Sequence, residues 1–370
     1  MICKKPGEPG FLFAVGLAAM KLDLAAGCGR IGRDCRVRPK TQAREQNLRG
    51  YNTILRGHRM IIQTGNRTDI PAFYPDWFAN RLREGYVLVR NPFNPQQVTR
   101  YLLDPAVTDL IVFCSKNPQP LLKYMPLIKP YHQYWFVTIT PYGTDLEPNV
   151  PDKAAVMETF RELSSIVGPA NMCWRYDPIL INEKETAEWH INSFRDMCRT
   201  LAGSTHTVVI SFIDLYEKVK RNFPEAKIVP LQTQLALTEA FVKIGREYGM
   251  TIKPCGESKI LESVGADCSG CMTQKTFETA IGQNLNLPSA PNNRKECACY
   301  ITGDIGAYNS CGHFCRYCYA NTDRKAVAAA MKQHDPKSPL LIGHLMPGDR
   351  ISQPKQDSWI DPQMRLENYI

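Results

Sequence analysis

From Met60 to Pro254 the chain alternates short β-branched or aromatic runs with longer stretches of helical period. This alternation limits the possible folds more than any other feature. Strands are expected at Met60–Thr64, Asp109–Cys114, Tyr134–Thr140, Met172–Tyr176, Thr207–Ile213 and Met250–Pro254. Helices are expected over Asp76–Glu84, from Asp152 to Val167, over Glu183–Ala202 and over Gln232–Tyr248. Val156, Phe160, Leu163 and Val167 lie on one helical face, Asp152 caps that helix, and Gly168 with Pro169 stops it. Strand followed by helix, repeated at these lengths, gives an α/β fold: a parallel sheet or partial (β/α) barrel with its helices outside.

Ligands of such folds bind beyond the carboxyl ends of the strands. Polar residues recur at those ends. Asn66, Arg67, Thr68 and Asp69 follow the first strand, and Ser115, Lys116 and Asn117 the second. Thr138 and Thr140 end the third, Arg175 and Asp177 the fourth, and Ser211 and Asp214 the fifth. Any one alone reads as a turn or cap residue, but a shared mouth accounts for their recurrence. Asp69, Lys116 and Arg175 are the candidates for catalytic or substrate contacts. Thr68, Thr140 and Ser211 are the candidates for holding a cofactor.

The 370 residues have a globular composition. No apolar run approaches the roughly 18–20 residues that span a bilayer, so no membrane partner is expected. The net charge of +9 is unevenly placed. Residues 1–59 carry 12 Lys and Arg against 4 Asp and Glu, and the other 311 residues carry 33 against 32. The body is near neutral and gives no general electrostatic case for nucleic acid. Within 1–59, the apolar run Phe11–Met20 after Lys4 and Lys5, and Leu24–Cys28, suggest an export signal. Lys21 and Asp23 interrupt the pattern, and the Arg-rich remainder has no periodicity. The expectation is a disordered extension, or a start placed too early with Met60 as the true one, in a cytoplasmic protein.

Eight of the 14 cysteines lie between Cys255 and Cys318. Such clustering favours metal in a reducing compartment over a secreted disulfide framework. Cys311, Cys315 and Cys318, at C-x3-C-x2-C, form the sharpest group, since one short loop can turn all three thiolates to a common centre. An iron–sulfur cubane normally takes four thiolates. Three leave one iron open to a small molecule that binds through nitrogen and oxygen. Zinc with a fourth ligand from elsewhere, or three ordinary buried thiols, are the competing readings. Cys255, Cys268, Cys271, Cys297 and Cys299 offer a second group, for an auxiliary cluster, for zinc or for neither. Cys114, Cys173 and Cys198 read as core residues. The expected division is an extension (1–59), a barrel-like body (60–256), a cysteine-rich region (257–325) and a tail (326–370). In the tail, 338–343 reads as a strand across the cysteine loop or as a loop.

The three-cysteine motif, with aromatic Tyr317 before the third cysteine, resembles the signature of the radical S-adenosylmethionine superfamily. The resemblance implies that Cys311, Cys315 and Cys318 ligate a [4Fe-4S] cluster and that Tyr317 packs near the adenine. It implies that the open iron chelates S-adenosylmethionine, whose reductive cleavage yields a 5′-deoxyadenosyl radical. The flanking Tyr308-Asn309 and Tyr319-Ala320-Asn321 resemble the branch containing spore photoproduct lyase and the DNA-repair photolyase-like proteins. Thr68-Asp69-Ile70-Pro71, Ser115-Lys116-Asn117, Thr138-Ile139-Thr140 with Leu146-Glu147-Pro148, and Arg175-Tyr176-Asp177-Pro178 are similar to further elements of that branch. There the cluster loop follows the first strand. Here it follows the last, which implies a circular permutation.

Residues 60 to about 358 closely resemble a bacterial family known only as a domain of unknown function, family 1848. Its pattern places cysteines like Cys255, Cys271, Cys297 and Cys299, which leaves Cys268 out of a second iron–sulfur cluster or zinc site. The implied protein is an enzyme of lyase or oxidoreductase type with an unknown substrate and a reductant such as flavodoxin or ferredoxin. The rival functions are a non-enzymatic iron–sulfur electron carrier and a zinc-stabilised nucleic-acid-binding module.

Overall fold

The computed structural model describes residues 61–287, 299–300 and 303–361. The expectations for 1–59 and for Cys297 lie outside the described residues. The strands in chain order are β1 (Ile61–Gln63), β2 (Tyr86–Arg90), β3 (Gln97–Leu102), β4 (Leu110–Ser115) and β5 (Gln133–Thr138). They continue with β6 (Met172–Ile179), β7 (Thr207–Phe212), β8 (Thr251–Pro254), β9 (Gly303–Asp304) and β10 (Arg350–Ser352). Seven of them form one sheet in the order β8-β7-β6-β5-β4-β1-β9, with every neighbouring pair parallel. The sheet is a partial barrel with β8 and β9 at its ends. The last strand of this sheet in the chain, β9, lies beside the first, with Ile62 opposite Gly303 and Gln63 opposite Asp304.

Strand alternation divides the core in two. Ile111, Phe113, Trp135, Val137, Trp174, Tyr176, Val208 and Ile210 face the main core. There they meet residues of the helices Pro75–Glu84, Lys153–Val167, Ala187–Leu201 and Leu231–Glu247. Phe113 stacks on Trp135 at 3.9 Å, and Phe194 on Phe241 at 4.0 Å. Each such side chain contributes about 1.5–3 kcal/mol by leaving water. Leu110, Val112, Tyr134, Phe136, Cys173 and Val209 point to the inner face, where Phe277, Ala280 and Ile281 of the helix Gln274–Ile281 cover them.

Local chemistry explains where elements begin and end. Asp152 caps its helix by accepting from the Ala154 and Ala155 amides, and Gly168 follows its last residue with φ 87°. The helix expected from Glu183 begins instead at Ala187, because Thr186 accepts from the Trp189 amide at 3.2 Å. Asn182 meanwhile holds the Lys184 and Glu185 amides in a turn. Sequence reasoning missed the small sheet β10-β3-β2. Gly85, left-handed at φ 73°, ends one helix and sends the chain straight into β2. Segment 338–343 packs there: the Leu88 amide donates to Pro339 at 2.9 Å, and Leu340 bridges to Leu88. It therefore extends the small sheet. Among the described residues, no helix is long and apolar enough to cross a membrane.

Candidate functional site

The three-cysteine loop leaves the carboxyl end of β9, where the Ile305 amide continues the parallel ladder to the Gln63 carbonyl at 2.9 Å. Asn309 and Phe314 take left-handed backbone conformations at φ 57° and 55°, uncommon for a bulky residue such as Phe314. Gly312 has no spare room, since a Cβ there would lie 2.7 Å from the Phe73 ring. Inside the loop, the Asn321 amide group donates to the Cys311 carbonyl at 2.8 Å, and the Cys318 amide to the Cys315 carbonyl at 3.1 Å. All three cysteines are free thiols, with Cys315 buried. Burial pushes the Cys315 thiol up to about 12, and burial with nearby Asp69 pushes Cys311 well above the ordinary range. The Ala320 amide already points at the Cys318 sulfur, 3.3 Å away.

Two buried carboxylates fasten this loop to the sheet. Asp69 caps the turn Ile70–Phe73 through the Ala72 amide at 3.1 Å. It also accepts from the Ser115 hydroxyl and the Lys116 amide, both at 2.7 Å. Its Oδ2 meets His313 Nε2 at 2.8 Å, joining β1, β4 and the cysteine loop at one point. This candidate catalytic residue is thus occupied in positioning the loop. Asp69→Ala would strip a helix cap and leave buried donors unpaired, at a cost on the order of 3 kcal/mol. Chemical denaturation is the check, and a shift below the measurement error would remove Asp69 from this role.

The second carboxylate is Glu147, 1% exposed. It accepts from Lys116 Nζ at 2.7 Å, Thr140 Oγ1 at 2.6 Å, Lys153 and the Tyr317 hydroxyl. Burial opposes its charge, but Lys116 and Lys153 outweigh that and hold its pKa at about 2. At Lys116 burial favours the neutral form, yet Glu147 and Cys315 raise its pKa overall, while at Lys153 burial prevails. The Lys116 ammonium lies 5.5 Å from the Tyr317 ring centroid. Lys116, Thr140 and Tyr317 therefore converge on one anion beside Cys315.

Arg175 and Ser211 stand elsewhere in the mouth, where both bind Asp177. Thr68 is buried beside Asp69, and its hydroxyl has no partner among the described residues. Asn321 Oδ1 in the cysteine loop is likewise buried and unpaired. Among the remaining cysteines, Cys173 and Cys198 are core residues, while Cys114 is half-buried with Gln63 Nε2 3.6 Å from its sulfur. Sequence reasoning singled out neither Glu147 nor Lys153 nor His313 as site residues. His313 lies inside the motif, and Glu147 in the Leu146-Glu147-Pro148 run, so each carried a local signal. Lys153 carried none, being an ordinary first-turn helix residue.

The fold and site define a class: an α/β protein whose parallel partial barrel presents a three-thiol loop at the carboxyl ends of its strands. Residues 61–320 match the family described as Domain of unknown function (DUF1848), and the chain belongs to that family. No curated protein matches the chain.

Proposed function

We propose that this chain is a radical S-adenosylmethionine enzyme whose Cys311, Cys315 and Cys318 hold a [4Fe-4S] cluster. The observation that carries the reading is the seat of the cysteine loop. It follows an edge strand of a parallel partial barrel and faces the strand-end polar groups. In the superfamily this motif resembles, the loop follows the first strand. Here the loop comes last in the chain, and the pairing of its strand β9 with β1 supports an equivalent seat. The helix Arg324–Lys332 follows it, and His334 just beyond packs on Tyr74 at 4.6 Å. A permuted chain would join its elements in this order.

The residues fit the group: three free thiols in one loop, a backbone amide on the Cys318 sulfur, and Thr68 Oγ1 and Asn321 Oδ1, both buried without a partner among the described residues. When bound, the cluster supplies the electron that cleaves the sulfonium of S-adenosylmethionine. The protein orients and shields. Glu147 anchors Tyr317, Asp69 anchors His313, and Lys116 places a cation beside both Glu147 and Cys315. Arg175, Asp177 and Ser211 remain as polar groups for a substrate. A one-electron carrier of flavodoxin or ferredoxin type would reduce the cluster.

The test is electron paramagnetic resonance of the reduced, iron-replete protein with and without S-adenosylmethionine, alongside product analysis. The expected result is an altered spectrum, with slow release of 5′-deoxyadenosine and methionine. An unaltered spectrum without 5′-deoxyadenosine would overturn the proposal and leave an electron carrier.

A further inference from the structure

Three further thiols, outside the loop just described, converge on the inner face. Cys255 directly follows β8, and its amide extends the ladder to the Ile210 carbonyl at 2.8 Å. Cys271, 2% exposed, precedes the helix Gln274–Ile281. Cys299 is brought in by its neighbour, since the Tyr300 amide donates to the Met272 carbonyl at 2.8 Å. The Cys271 sulfur lies 3.8 Å from that of Cys255 and 3.2 Å from that of Cys299. The Met272 amide also points at the Cys299 sulfur, at 3.4 Å. Cys255 and Cys271 are free thiols.

Core packing does not account for this arrangement. Isolated cysteines behave as small hydrophobes and have no reason to meet three at a time from separate segments. A disulfide does not account for it either: bonded sulfurs stand about 2.0 Å apart, and a single bond would leave the third thiol unexplained. Sulfurs on one tetrahedral ion, each about 2.3 Å from the metal, stand roughly 3.8 Å apart, which is the Cys255–Cys271 separation.

We propose that Cys255, Cys271 and Cys299 bind a second, thiolate-held metal centre on the inner face of the partial barrel. Among the described residues, no group of three or more His, Cys, Asp or Glu is placed to hold a metal ion unaided. At least one coordination position is therefore filled from outside the trio. Cys268 is not part of the centre: it packs against the main core, whereas Cys255, Cys271 and Cys299 lie with the inner-face cluster. This inference does not depend on what the Cys311 loop holds.

The experiment is iron, zinc and sulfide analysis of the anaerobically purified full chain and of Cys271→Ser and Cys299→Ser, with Cys198→Ser as control. Both site variants should lose metal that the control retains. The loss is one zinc per chain if the centre is mononuclear, or about half the iron if it is a cluster. Cys315→Ala should keep this metal, which separates the inference from the proposed function. A second readout needs no variant: the half-exposed Cys255 and Cys299 of the wild-type protein should resist alkylation until a chelator is added. Unchanged metal in soluble variants, or alkylation equally fast before and after the chelator, would overturn the centre.

Discussion

Cys315→Ala is expected to abolish S-adenosylmethionine cleavage while leaving the fold intact. Cys315 is the most enclosed thiol of its loop, near Lys116, Glu147 and Lys153. Cys311 and Cys318 alone would offer two thiolates, too few to hold a cubane with one open iron. The structural cost should be small, because the loop backbone is held by other groups: Asn149 to the Gly312 and His313 carbonyls, Arg316 to the Leu146 carbonyl, and Asn321 to Cys311. Removing one small buried side chain costs on the order of 1 kcal/mol. Product analysis, iron content and a denaturation curve together check this. Full cleavage activity in the variant would show that Cys315 is no ligand. Cys198→Ala, in the helix core, should leave activity unchanged.

Glu147→Ala is expected to be the most destabilising single change at the site, by about 3–5 kcal/mol. It leaves the Lys116 and Lys153 ammonium groups, 14% and 20% exposed, without their anion, and frees the Tyr317 and Thr140 hydroxyls. The same group sets a pH dependence. Its folded pKa of about 2 lies below the ordinary 4.5, so its contribution is fully present above pH 4.5. That contribution, about 3 kcal/mol, is lost as pH falls from 4.5 towards 2. Urea midpoints across that range should fall more steeply for the wild type than for Glu147→Gln. Parallel acid limbs would exclude Glu147 as the responsible group.

The parts of the molecule that were legible in the sequence are those governed by near neighbours. The Asp152 cap, the Gly168 stop and the β-branched run of β7 each follow from residues a few positions apart. The three-cysteine spacing is likewise local. The small sheet was not legible, because β3 pairs with β10 some 250 residues away in register Val98 to Ile351. Nor was the use of Asp69. A buried carboxylate at a strand end reads as a catalytic candidate, and only its partners Ser115, Lys116 and His313 reveal a fastening.

By itself the sequence determined the strand–helix alternation, the polar strand ends and two groups of cysteines, since periodicity and spacing are properties of short stretches. Only the tertiary structure decided that β9 closes onto β1 and that Glu147 gathers two lysines and Tyr317. The resemblance had already grouped Cys255, Cys271 and Cys299 and left Cys268 out; the structure supplied their meeting at 3.2–3.8 Å between sulfurs. These are meetings of groups far apart in the chain. They are fixed by which face each strand buries and which buried charge must find its partner, and no local pattern records either.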